Sequence, residues 1–175
     1  MENKRRNSEP ISGEFELLGD GQSFLDTISD MLIGIKGFEM FSQKDIAHLS
    51  RHMKAYLVRA GTTIIHEGER TSYLFILVQG KVCVYKEDSN HKQKLLSTIS
   101  QGRIFGEISL IDDFPYSASI IAESNATLLL MSREWFRQCI DDKPQLGVRL
   151  LSYIARMLCA RLRASSGQLV EYVDV

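Results

Sequence analysis

Between Phe105 and Ser119 the chain reads Phe-Gly-Glu-Ile-Ser-Leu-Ile-Asp-Asp-Phe-Pro-Tyr-Ser-Ala-Ser. A glycine beside an acid, then a short apolar run and a strand of small residues, is a layout suited to cradling a charged ligand. Phosphate cradles usually also hold a cation, yet no Lys or Arg occurs from Gly106 to Ser119. Two other sets of residues bear chemistry. His48 and His52 lie four apart, but a metal pair needs further ligands, and Leu49 stands where a zincin has its Glu. They read as solvated surface histidines. Cys83, Cys139 and Cys159 are odd in number, sit in apolar surroundings and show no CxxC spacing; they read as buried reduced thiols.

The cradle needs elements to hold it. Residues 1–14 are polar and carry Lys4-Arg5-Arg6, and Lys4-Arg-Arg-Asn-Ser8 resembles a basophilic kinase target or pseudosubstrate; residues 1–14 are expected to form a disordered tail. Residues 15–55 are expected to be helical. Phe24, Ile28, Leu32 and Ile35 share one helical face, with Ser23 and Asp26 as an N-terminal box and Gly37 as the stop. A second helix starts at Ser42 with Asp45 three residues on, its stripe being Ile46, Leu49 and Met53. From 56 to 132, short β-branched and aromatic segments alternate with turn signals (56–60, 63–67, 73–78, 81–86, 94–100, 117–123 and 126–132), the pattern of a sandwich or jelly-roll barrel. Residues 133–175 return to helix. A short helix runs from Ser132-Arg-Glu-Trp135 through Ile140, and a long one starts near Pro144. The long helix has two apolar stripes, Leu150/Ile154/Leu158/Leu162 and Tyr153/Met157/Ala160/Ala164. One can cover the barrel; the other predicts a homodimer through residues 146–165. Four arginines (149, 156, 161 and 163) and no acid lie between Leu146 and Val170, read as a solvated face, with an acidic partner or ligand as the alternative.

Composition agrees with a folded chain. Of 175 residues, 44% are hydrophobic, enough for a core. No apolar run approaches the roughly 18–20 residues of a membrane helix, and MENKRRNSEP has no secretory h-region. The expectation is a soluble cytoplasmic protein with no membrane contact. The net charge of −1 gives the whole chain no electrostatic reason to coat nucleic acid.

Helices, a jelly roll interrupted by Phe-Gly-Glu, then a long helix resemble the cyclic nucleotide-binding domain family, the type found in the catabolite activator protein and the regulatory subunit of cyclic-AMP-dependent kinase. The matching residues run from about Phe38 to Leu162: Ala60-Gly61, Glu67-Gly68-Glu69, Leu74-Phe-Ile-Leu77 with Gly80, Gly102, Phe105-Gly-Glu107, Leu110, Pro115, Ala118-Ser119, Ala122, and Phe136 with Pro144. The resemblance implies an α+β fold, a β-jelly-roll (double-stranded β-helix) barrel flanked by N-terminal helices and a long C-terminal helix. It implies a non-enzymatic sensor module without cofactor or metal. The ligand would be a cyclic nucleotide of the cyclic AMP or cyclic GMP kind, or another small anion.

The implied ligand-binding set is Gly106, Glu107, Ile108, Ser109, Tyr116, Ser117 and Ala118, with Met157 and Arg161 on the base side. Backbone N–H groups of Gly106 to Ser109 would face the phosphate, Glu107 would accept from the ribose 2′-hydroxyl, and Ser117 would stand beside phosphate and purine. The family pattern reads Pro-Arg-x-Ala-Ser/Thr; this chain reads Pro115-Tyr-Ser-Ala-Ser119. The phosphate-pairing arginine is replaced by Tyr116, and Arg103 is the nearest cation in sequence. Two readings follow: a sensor with weak or altered nucleotide binding, or a dimerisation and protein-interaction module that retains only the fold. A cupin-type metalloenzyme draws several histidines from adjacent strands, and only His66 and His91 fall in this region. Family members that bind DNA place a helix-turn-helix module after the long helix; Ser165 to Val175 are too few, so no DNA binding by this chain alone is expected.

Overall fold

The computed structural model describes residues 15–70 and 73–173, with side chains up to Gly167. The expected tail 1–14, with Lys4–Arg6 and Ser8, lies outside the described residues. Among the described residues nine strands form two antiparallel sheets that close as a jelly-roll barrel, with the helices packed on one of them. One sheet runs β1 (Phe15–Asp20), β2 (Met53–Val58), β9 (Ala126–Ser132), β4 (Tyr73–Gln79), β7 (Arg103–Phe105); the other runs β3 (Thr63–Ile65), β8 (Ser119–Ala122), β5 (Lys81–Glu87), β6 (Gln93–Ser100).

The continuous apolar run of β4 has a structural reason. Leu74 and Ile76 face the helices, whereas Phe75 and Leu77 face the opposite sheet. Its neighbour β9 divides in the same way, Leu129 and Met131 to the helices, Leu128 and Leu130 to the barrel. Successive strand residues point to opposite faces, so a strand covered on both sides must be apolar throughout.

The N-terminal region departs from the helices expected over 15–55. Phe15–Asp20 is a strand, pairing with β2 from Phe15 against Val58 to Asp20 against Lys54. Half of its residues are exposed and none is buried, so no alternation marked it, and the edge of β2 makes it a strand. Helix α1 spans Leu25–Ile33 and buries Ile28 and Leu32. The Ser23/Asp26 box does not form. Instead Asp20 Oδ1 accepts from the backbone N–H groups of Gln22 and Ser23, both at 3.0 Å. The helix stops at Gly34; Gly37, at φ 99°, opens a 3₁₀ turn over Phe38–Met40. Helix α2 (Gln43–Ser50) has the expected capping box between Ser42 and Asp45. Met53, placed on that helix by its spacing, is the first residue of β2. His48 and His52 are not simply solvated: both rings lie against Trp135, His52 stacked at 4.3 Å.

Helix α3 (Glu107–Asp112) follows β7, which the turn pattern did not reveal. Helix α4 (Arg133–Asp142) is capped by the Ser132 hydroxyl, which accepts from Trp135 N–H at 3.3 Å. Helix α5 spans Pro144–Val173. Leu150 and Ile154 are buried on the helical layer. The expected second stripe is partly used inside the chain. Tyr153 packs edge-on to Phe38, with centroids 5.2 Å apart, and its hydroxyl donates to Lys36 O at 3.3 Å. The less covered positions are Val148, 62% exposed, Leu151, Ala155, Leu158, and Leu162, 68% exposed. Cys159, on α5, is exposed, whereas Cys83 and Cys139 are buried. Among the described residues no helix is long and apolar enough to cross a membrane.

Candidate ligand site

A cavity of about 110 Å³ opens between the barrel wall, α3 and α5. Ile65, Val84, Ile99, Phe105 and Ile120 give it an apolar wall; Gly106 to Ser109, Tyr116 to Ala118 and Arg161 give its polar side. Of the residues expected from the sequence, all seven of the cradle set and Arg161 meet there. Met157 does not; it packs on the helical core. A wider open dip of about 790 Å³, against β1 and the loop Arg59–Thr62, holds none of these residues.

Gly106 turns the chain from β7 into α3. Its φ is 77°, and a Cβ there would lie 2.5 Å from Tyr73 O. Only glycine takes this conformation without strain and permits that approach. The turn places Glu107 inside, 1% exposed. Arg161, reaching down from α5, donates from Nη1 to Glu107 Oε1 at 2.5 Å and from Nη2 to Ile104 O. Burial pushes the Glu107 carboxyl above its ordinary range, and the Arg161 guanidinium pulls it back. A permanently protonated partner in direct contact favours the carboxylate over the acid.

Tyr116 is held on every side. Its N–H donates to Glu69 O at 3.0 Å and its carbonyl accepts from Gly68 N–H at 2.8 Å. Its hydroxyl accepts from Tyr73 N–H at 2.9 Å and faces Tyr73 O at 3.4 Å. The phenol thus supplies the edge pairing that β4 lacks once β7 has ended at Phe105. Burial pushes its pKa up to about 12, so it is neutral across the working range.

Among the described residues the cations around this site are each paired with an acid, Asp113 being shared by Arg133 and Arg137. Arg161 has Glu107, Lys86 has Glu67, and Arg133 has Asp113. Lys86 also donates to Ser117 O at 2.7 Å, and Arg133 to Ser109 O. Arg103 is exposed on β7 and is not among the cavity residues. The arginine run of α5 is therefore more than a solvated face. Arg149 pairs with Asp45 on α2, and Arg161 pairs with Glu107. The one signal was the run itself: four arginines without a nearby acid must be solvated or find acids elsewhere in the fold. Lys86 carried no sequence signal, because its role depends on the β5–β8 pairing that brings it beside Ser117.

Residues 57–143 match the family model of the cyclic nucleotide-binding domain. Over 141 residues the chain is 30% identical to a cGMP-dependent protein kinase of Plasmodium berghei, covering 77% of this chain and 16% of the kinase. A solved cyclic nucleotide-binding domain from Methylobacillus flagellatus superposes with a TM-score of 0.80 at 28% identity, covering 91% of this chain and 92% of that one. The catabolite activator protein of Thermus thermophilus gives a TM-score of 0.65 at 26% identity, covering 76% of this chain and 61% of that one. The chain thus carries a domain of the cyclic nucleotide-binding family, a regulatory type of module.

Proposed function

We propose that this regulatory module has a phosphate side given over to the fold, so that cyclic AMP and cyclic GMP bind weakly or not at all. The observation that carries the reading is the Tyr116 hydroxyl bonded to the Tyr73 backbone, where the family pattern has an arginine for the phosphate. Arg–phosphate pairs are charge-assisted and often bidentate. Loss of one partner of such a pair costs about 2–5 kcal/mol, roughly 30-fold to several thousand-fold in affinity. A site otherwise micromolar falls to about 0.1 mM or weaker. A thermal-shift panel of cyclic mononucleotides and cyclic dinucleotides tests this. Ligand at a hundredfold excess over Kd adds about 2.7 kcal/mol, roughly 5–10 °C in Tm for a chain of this size. The reading expects no such rise at about 100 µM cyclic AMP or cyclic GMP; a full rise refutes it.

A second reading, a ligand-independent dimerisation or protein-interaction module, is favoured by α5. Val148, Leu151, Ala155, Leu158 and Leu162 recur at alternating spacings of three and four, the seam of a paired helix, and Val148 and Leu162 are exposed. The proposed partner is a second copy through residues 146–165, with another protein as the alternative. Light scattering at tens of micromolar should give a dimer. Val148→Glu with Leu162→Glu should give a folded monomer, since neither side chain is buried within the chain. A wild-type monomer overturns the homodimer.

A further inference from the structure

The charged side chains that line the cavity, Glu107 and Arg161, balance each other, because they pair directly. This balance decides what kind of molecule can enter. A phosphodiester anion gains a cation only by taking one from an acid. If Arg161 turned to it, Glu107 would keep an uncompensated charge while 1% exposed, among the costliest arrangements in a protein interior. If Arg161 stayed, the anion would lie without a counter-charge beside Ile65, Val84 and Phe105. Nor does Tyr116 offer its hydroxyl, which is bonded at Tyr73. An uncharged ligand meets neither penalty.

What the site still offers is specific. Glu107 has Arg161 on Oε1, and a carboxylate accepts several bonds, so vicinal hydroxyls can donate to it without displacing the guanidinium. Beyond it the wall of Ile99, Ile120 and Phe105 is apolar, suited to a flat heterocycle. A nucleoside combines a flat apolar-faced ring, vicinal hydroxyls and no charge.

We infer that the favoured occupant of this cavity is an uncharged nucleoside rather than a 3′,5′-cyclic nucleotide, with its ribose hydroxyls on the Glu107–Arg161 pair and its base on the apolar wall. This rests on the reading of the cavity as a site of the cyclic nucleotide-binding type. Glu107 and Arg161 act together as the selectivity device: Glu107 draws hydroxyl donors and neutralises the cation that would draw a phosphate.

The test is calorimetric titration of the full chain with adenosine, guanosine, cytidine and uridine, each beside its own 3′,5′-cyclic monophosphate at one salt concentration. At least one nucleoside should bind about tenfold or more tightly than its cyclic monophosphate, and its 2′-deoxy analogue should bind about tenfold more weakly than it does. Glu107→Gln keeps the shape, removes the negative charge and leaves Arg161 uncompensated. It should swing the preference toward the cyclic monophosphate by about tenfold or more. Equal or tighter binding of every cyclic monophosphate by the wild type overturns the inference, and the wild-type panel decides this whether or not the variant folds. If nothing binds at about 1 mM, the nucleoside inference fails while the reading that cyclic AMP and cyclic GMP bind weakly or not at all stands. Micromolar binding of a cyclic monophosphate that also exceeds its nucleoside removes both.

Discussion

The two sides of the cavity have fared differently. On the α3 and α5 side, Glu107 remains an acid inside the pocket and is answered by Arg161 from another element. On the β8 side, Tyr116 stands where the family pattern has a cation, and its hydroxyl is bonded to the β4 backbone. The first side keeps a polar group that a ligand can share. On the proposed reading, the second turns a ligand contact into a fold contact. On that reading the site has lost part of its chemistry without losing its shape, because the Tyr116 hydroxyl is bonded within the barrel. The two sides meet at Gly106, whose close approach to Tyr73 O sets α3 against the same backbone segment that Tyr116 holds.

That shared point is where the comparison breaks most completely. Gly106→Ala should cost about 3 kcal/mol, from the left-handed backbone and the 2.5 Å contact with Tyr73 O. Urea unfolding would measure it, and any residual ligand binding should vanish with it. The acid side alone is tested by Arg161→Ala. Glu107 would stay buried without a partner, a loss of about 2–3 kcal/mol, at the low end because the Arg161 side chain is 39% exposed. This loss should depend on pH in a definite direction. The folded-state pKa of Glu107 is raised by burial, and without Arg161 it rises further. A raised carboxyl contributes stability that is fully present below its unfolded value of about 4.5 and is lost as pH rises through the folded value. The deficit of Arg161→Ala should therefore be largest at neutral pH and shrink on acidification; a deficit independent of pH would show that the pair contributes only packing. The other side is tested by Tyr116→Phe, which keeps the ring and removes the bond to Tyr73. It should cost about 1–2 kcal/mol. At the small end, Ser42→Ala removes the α2 cap, far from either side, at about 1 kcal/mol, and should leave nucleotide affinity unchanged.

Much of this could be read in the chain before its structure. Local signals carried best. The Ser42/Asp45 box, the strand-length apolar runs and the Phe-Gly-Glu turn all depend on neighbours a few residues away, and they describe α2, β4, β9 and the start of α3 correctly. Elements made by distant partners did not show. β1 has no buried face of its own and exists because β2 offers an edge. β7 is only three residues long. Arg161 was placed on the base side of the pocket, but its contact with Glu107 spans 54 residues of sequence, and no local pattern encodes it. The uncovered stripe of α5 was assigned to Tyr153 and Met157, whereas Phe38 and Phe41, more than a hundred residues earlier, cover Tyr153. The cradle's residues were legible because their types are unusual together; its charge balance was not, because it joins Glu107 of α3 to Arg161 of α5.

The most direct measurement is a calorimetric titration of cyclic AMP into the wild type and into Tyr116→Arg, in one buffer, with the fold of the variant checked by circular dichroism. The account predicts a wild-type Kd of about 0.1 mM or weaker, tightened by about one to three powers of ten in the variant as the missing charge pair is restored. Sub-micromolar binding by the wild type, with no gain in the folded variant, would contradict it.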